Sequence, residues 1–106
     1  MGNWKVEFLD ETVESEFDSF PPAVKAKAVH IAQMIRQFGL SNIGLPYVKH
    51  LRGKIWELRA LQGRGLYVTA SGQRVVILRC FMKKSNKTPH KELKIALQRA
   101  REVIDG

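Results

Sequence analysis

The stretch KIWELRALQGRGLYVTASGQRVVILRCFM, residues 54–82, decides the architecture. Its first part, KIWELRAL, alternates in character, with Trp56 and Leu58 on one face of an extended segment and Glu57 and Arg59 on the other. GLYVTA repeats the pattern: Leu66, Val68 and Ala70 point the same way, and Ser71-Gly72 then forms a tight turn. RVVILRCFM is nearly unbroken in apolar residues, as a central strand covered on both faces should be. Three such segments with short connections make an antiparallel meander. Arg79 interrupts the last one. A charge near the end of a buried strand is either paired, with Glu57 one available partner, or pointed at a site.

Upstream, residues 4–9 (WKVEFL) alternate and read as a first strand. Asp10 offers an N-cap to a helix carrying Val13, Phe17 and Phe20 at helical spacing, with Glu11 and Glu14 placed to complement the positive end of its dipole. Pro21-Pro22 ends that helix and starts another, whose stripe of Val24, Ala28, Ile31, Ala32 and Ile35 stops at Gly39. The two helices are expected to pack as an antiparallel pair on the sheet. Residues 39–53, GLSNIGLPYVKHLRG, are rich in turn formers and read as a connection. Downstream, Thr88 as N-cap and Pro89 as first residue open a last helix whose inner face carries Leu93, Ala96, Leu97, Ala100 and Val103. The expected order is β-α-α-β-β-β-α. This is an α+β fold, an antiparallel sheet with two N-terminal helices and one C-terminal helix, in a single domain over residues 1–106.

Charge is distributed unevenly along this frame. Residues 1–48 hold Lys5, Lys25, Lys27 and Arg36 against six acids, whereas fourteen of the eighteen Lys and Arg fall in residues 49–101 against Glu57 and Glu92 alone. The net charge of +8 is therefore concentrated in the sheet half, where it favours a polyanionic partner. The longest aliphatic run, Val75-Val76-Ile77-Leu78, is far short of a membrane span, and the first ten residues lack the pattern of a signal peptide. Cys80 is the one cysteine and sits in an apolar strand, so an inert core thiol in a reducing cytoplasm is expected.

Several chemistries are disfavoured by spacing. His30, His50 and His90 share no metal-ligand spacing, the glycines of QGRGLY do not form a phosphate loop, and no Ser lies in a nucleophile elbow; no cofactor or metal is expected. What remains is a set of cations, Arg59, Arg64, Arg79, Lys83, Lys84 and Lys87, on the three strands and the following loop, with Lys91 just beyond. In a meander, Arg64 at the start of one strand falls beside Arg79–Lys84 at the end of the next. Such cations grip phosphates, and Tyr67 near the same edge could stack on a base. RNA cleavage by its own 2′-hydroxyl needs in-line geometry, a proton acceptor and donor, and neutralisation of the phosphorane. His90 at the mouth of the last helix is the natural proton carrier, or else an exposed helix-start residue, and Glu57 is a second titratable group or an ion-pair partner.

The segments GKIWELRAL and GRGLYVTASGQRVVILRCFMKKSNKTPHKELKIALQRAREV, which span most of residues 53–103, resemble the RelE/HigB-like toxins of toxin–antitoxin modules, particularly the phage Gp49-like branch. The matches are Trp56-Glu57-Leu58-Arg59, Arg64 before Leu66-Tyr67, Phe81-Met82-Lys83-Lys84, Lys87-Thr88-Pro89, and Ala96 with Arg99. The resemblance implies a compact RelE-like fold and an endoribonuclease that inhibits translation by cleaving mRNA, usually on the ribosome. It also implies a cognate antitoxin, often of helix-turn-helix type. By position, Arg64 corresponds to the phosphate-gripping Arg, Lys84 to the later strand-end cation, and His90 to a Tyr or His at the scissile region. RelE proper carries two lysines on the W-E-L-R strand, one of them the base; here those positions are Ile55 and Glu57, leaving His90 and then Glu57 as candidates for that role. Two other readings stand beside the nuclease. One is a non-catalytic RNA- or DNA-binding module on the same face. The other is an interaction protein using the acidic first helix (Asp10, Glu11, Glu14, Glu16, Asp18), which could also cover the protein's own cations or be solvated.

Overall fold

The computed structural model describes residues 3–84 and 87–104, so the Ser85-Asn86 part of the KKSNKTP motif lies outside the described residues. The elements are β1 (Lys5–Phe8), α1 (Glu11–Asp18), α2 (Pro22–Phe38), β2 (Val48–Arg52), β3 (Ile55–Ala60), β4 (Gly63–Ala70), β5 (Arg74–Met82) and α3 (His90–Ile104). They form one sheet in the order β1-β5-β4-β3-β2. The meander β2 to β5 is antiparallel, and β1 runs parallel to β5, with Lys5 to Phe8 opposite Arg74 to Ile77. The expected α+β architecture is present with one additional strand. β2 lies in the segment read as a connection, and of its residues only Val48 is buried. A sheet-edge strand held mainly by its ladder to β3 leaves almost no apolar alternation in the sequence.

Local signals act where expected. Asp10 Oδ1 accepts the Val13 N–H at 3.1 Å to start α1, and Gly39, at φ +87°, ends α2. Both helices cover one face of the sheet, where Val13, Phe20, Val24, Ile31 and Ile35 meet Leu58, Tyr67, Val75 and Ile77. α3 covers the other face, over Ile55, Leu66, Val68, Val76, Leu78 and Phe81. Its buried contacts are Ala96 and Ala100, and Leu97, expected on the inner face, is 39% exposed. β5 is thus covered on both sides, as its unbroken apolar run predicts.

β1 pairs with β5 only as far as Ile77, which leaves the later part of that β5 edge without a strand. Glu16 of α1 takes the place. Its carboxylate accepts the Cys80 N–H at 3.1 Å, Arg79 Nη1 at 2.8 Å and Arg99 Nη1 at 3.0 Å. Arg99 also donates to the Leu78 carbonyl at 2.7 Å, and Arg79 Nε to Glu92 at 2.7 Å. Burial works against the Arg79 charge, but the hydrogen bonds to Glu92 and Glu16 prevail and raise its pKa. Arg79 is therefore paired rather than pointed at a phosphate, and its partners are Glu16 and Glu92, not Glu57. The acidic first helix in part covers the protein's own cations. Among the described residues, no helix is long and apolar enough to cross a membrane.

This lashing generates a stability prediction. Glu16→Ala takes the shared carboxylate from two guanidinium groups, leaving Arg79 only Glu92 and Arg99 only the Leu78 carbonyl, and strips a strand-edge N–H of its acceptor, at a cost of about 2–4 kcal/mol. Urea unfolding should show the midpoint falling with unchanged slope, while Glu14→Ala on the exposed face stays within about 0.5 kcal/mol of the parent.

Candidate nucleic-acid interface

On the α3 side of the sheet, β3 turns Glu57 inward at 1% exposure. A carboxylate so buried requires partners. Lys49 lies opposite it on β2. Arg59, two residues further along β3, pairs directly with Arg64 of β4, an unfavourable opposition of like charges. Glu57 resolves it: Oε1 is 3.6 Å from Arg59 Nε and 3.6 Å from Arg64 Nε. Oε2 accepts the Thr88 hydroxyl at 2.6 Å. Thr88, expected as an N-cap, thus ties the loop before α3 to the sheet, and the Pro89 carbonyl receives the N–H groups of Glu92 and Leu93 in the first turn.

Arg64 is 6% exposed and anchored, with Nη1 donating to the Leu61 and Gly63 carbonyls at 2.7 and 2.9 Å. Burial lowers its pKa, Glu57 opposes that and Arg59 adds to it. Lys83 continues β5, its N–H donating to the Gln62 carbonyl at 2.7 Å, and its side chain is half-buried. Desolvation and the positive fields of Arg64, Arg59 and Lys49 lower the Lys83 pKa, and Glu57 alone works the other way. A hollow of about 240 Å³ opens here, lined by Lys49, Leu51, Glu57, Lys83, Lys87, Thr88 and Leu93. A second hollow, of about 350 Å³, has Arg59 and Arg64 in its wall together with Lys27, Pro46, Tyr47 and Leu61.

Of the residues singled out from the sequence, Glu57, Arg59, Arg64, Lys83 and Lys87 come together around these hollows. Lys84 is exposed and borders neither, because successive residues of an extended chain point opposite ways and Lys83 takes the inward position. His90 and Lys91 are exposed at the start of α3 and also line neither hollow. Tyr67 cannot offer a ring to a base: it is 0% exposed in the core beneath α1 and α2, and burial pushes its phenol pKa up. Glu57, 1% exposed and engaged by Arg59, Arg64 and Thr88, holds the cations in place. Lys49, Thr88, Lys27 and Tyr47 were not anticipated. Lys49 becomes legible once residues 48–52 are read as a strand opposite Glu57. Cys80 is a buried thiol whose pKa is pushed up to about 12, chiefly by desolvation. Among the described residues, no group of three His, Cys, Asp or Glu is placed to hold a metal ion.

The topology is that of RelE. The chain is similar to a chain of the RelBE2 toxin–antitoxin complex of Mycobacterium tuberculosis, at 25% identity and TM-score 0.58, covering 80% of this chain and 97% of that one. It shares its fold with a chain of the archaeal RelE–RelB complex of Pyrococcus horikoshii, at 15% identity and TM-score 0.60, covering 76% and 96%. Residues 15–101 match the family model described as Phage derived protein Gp49-like (DUF891), and the chain belongs to that family, a branch of the RelE-like toxins. No functionally curated protein matches the sequence.

The electrostatics of the cluster can be read through Lys83. Its lowered pKa means that the charged ammonium is disfavoured in the folded state, so Lys83 subtracts stability at neutral pH. That loss is relieved as pH rises through its folded titration. Amine-selective labelling against pH should give Lys83 a midpoint below the ordinary lysine value. Glu57→Gln removes the one opposing charge while preserving an acceptor for Thr88, and should move that midpoint further down; Lys49→Ala should move it up.

Proposed function

We propose that this chain is the toxin of a toxin–antitoxin module, an endoribonuclease that stops translation by cleaving mRNA, with ribosome-bound message its substrate. The observation that carries the reading is the convergence of Lys49, Arg59, Arg64 and Lys83 on one buried carboxylate beside an open hollow. A cationic hollow of this size suits a backbone phosphate, and fixed cations neutralise a phosphorane without an added metal.

In the proposed reaction, the 2′-oxygen attacks its adjacent phosphorus, its proton passes to a base, and the phosphorus–5′-oxygen bond breaks as that oxygen receives a proton. The products are a 2′,3′-cyclic phosphate and a free 5′-hydroxyl. Of the three lysines that line the hollow, Lys49, Lys83 and Lys87, the half-buried Lys83 is the candidate base, and its lowered pKa enlarges the neutral-amine fraction that can accept the proton. His90, on the same first turn of α3 as the hollow-lining Leu93, is the candidate to return it. Glu57 and Arg64 are positioning residues in this scheme. Arg59 and Lys87 hold the phosphate chain, and Lys84 contributes only to the surrounding field. The two similar chains come from a RelBE2 toxin–antitoxin complex and a RelE–RelB complex, and this chain would likewise have a cognate antitoxin that neutralises it, for which a helix-turn-helix protein is our expectation.

Transcript 5′-end mapping after brief induction in bacteria tests the scheme. New ends inside translated reading frames are expected for the parent and for Lys84→Ala, with a decrease of roughly 10²-fold or more for Lys83→Ala. Growth arrest without new ends would replace cleavage by a block through RNA binding on the same face, in keeping with a β3 strand that carries no lysine.

A further inference from the structure

The second hollow is not needed to hold the scissile phosphate. Like the first it mixes apolar and cationic walls, but it adds an aromatic ring: Pro46, Tyr47 and Leu61 stand among the cations Lys27, Arg59 and Arg64. Arg59 and Arg64 border this hollow while their Nε atoms share Glu57 Oε1, which places it against the phosphate hollow that Glu57 lines. Tyr47 is half-buried, with Lys27 Nζ 5.2 Å from its ring centroid, a cation set over the aromatic face. The Tyr47 backbone is fixed by its carbonyl, which accepts the Arg59 N–H at 2.8 Å. Leu61 is the least expected wall. It sits in the β3–β4 turn at φ +56°, a conformation for which Gly or Asn is the ordinary choice, and its side chain is 55% exposed. A strained turn that presents a bare leucine beside an aromatic ring, between cations, has the composition of a nucleotide site: a stacking platform with phosphate contacts on either side.

We propose that the Lys27–Tyr47–Leu61 hollow is a nucleobase subsite, which receives the base of the nucleotide adjoining the phosphate held by Arg59 and Lys87. The occupant is single-stranded RNA, because cations flanking an aromatic and apolar floor complement a phosphate chain with an unpaired base. The inference rests on the RNA reading of the first hollow and assigns the neighbouring nucleotide a position. Tyr47 and Leu61 contact the base, and Lys27 contacts its phosphate.

The test uses a fluorescein-labelled, fully 2′-O-methylated single-stranded oligoribonucleotide, which cannot be cleaved by its own 2′-oxygen, and a series with one abasic position moved along it. Binding is followed by anisotropy against salt. The full chain should bind the intact strand with a salt-dependent affinity that falls roughly tenfold on Tyr47→Ala and returns with Tyr47→Trp. At one abasic position, the loss seen with the parent should vanish in Tyr47→Ala, since base and ring report on the same contact. Leu61→Gly relieves the positive φ, so it keeps the fold while removing an apolar wall, and should weaken binding several-fold. If Tyr47→Ala and the abasic losses add at every position, or if Leu61→Gly and Tyr47→Ala bind as the parent while Arg59→Ala does not, the subsite is overturned and the phosphate hollow survives. If the parent itself shows no salt-dependent binding, both fall. Retained RNA affinity with loss of only an acidic peptide's binding would assign the hollow to a protein partner and overturn the proposal.

Discussion

The cationic side of this molecule depends on a single buried carboxylate. Glu57 stands at 1% exposure between two arginines that the strand register forces opposite each other. Without it, Arg59 and Arg64 would repel across adjacent strands and Lys83 would face positive charge alone. With it, a compact group of positive side chains can be assembled on a rigid sheet and kept at the surface of a hollow. Thr88 extends the same arrangement to the loop ahead of α3, so the far wall is anchored to the carboxylate that orders the near one.

A second carboxylate, Glu16, does comparable work at the other side of β5. There the need is backbone rather than charge: β1 is too short to cover the strand's edge, and an uncapped edge leaves an N–H without a partner. The glutamate supplies the acceptor and gathers Arg79 and Arg99 about itself, joining α1, β5 and α3. Two arginines are consequently removed from the pool available to a polyanion. The basic half of the chain thus contains a structural set and a presented set, and composition alone cannot separate them.

The same separation governs the aromatic residues. Tyr67 lies on β4 and Tyr47 immediately before β2, yet one fills the core under α1 and α2 and the other borders a cationic hollow. Strand alternation had already put Tyr67 opposite in direction to Leu66 and Val68. Which of the two faces carries the site became evident only from the inward course of Glu57 and Arg64. Tyr47 precedes a strand whose one buried residue leaves no pattern, so its position depends on pairing with β3.

The amino-acid sequence by itself determined the β3–β4–β5 part of the meander, the helix start at Asp10 and end at Gly39, the double coverage of β5 and the concentration of positive charge in the later half. These are local matters: period, turn chemistry and capping act over a few residues and survive transfer from one context to another. Tertiary structure alone decided that Lys83 rather than Lys84 faces the cluster, that Arg79 belongs to Glu16 and Glu92, that Thr88 serves Glu57, and that Lys49 and Lys27 join the two hollows. Each of these turns on a partner far away in the chain or on the strand register, which slips at a bulge between Leu66 and Tyr67. A charge has no preferred partner until the backbone has brought the choices within a few ångströms, and at that point burial and distance select one.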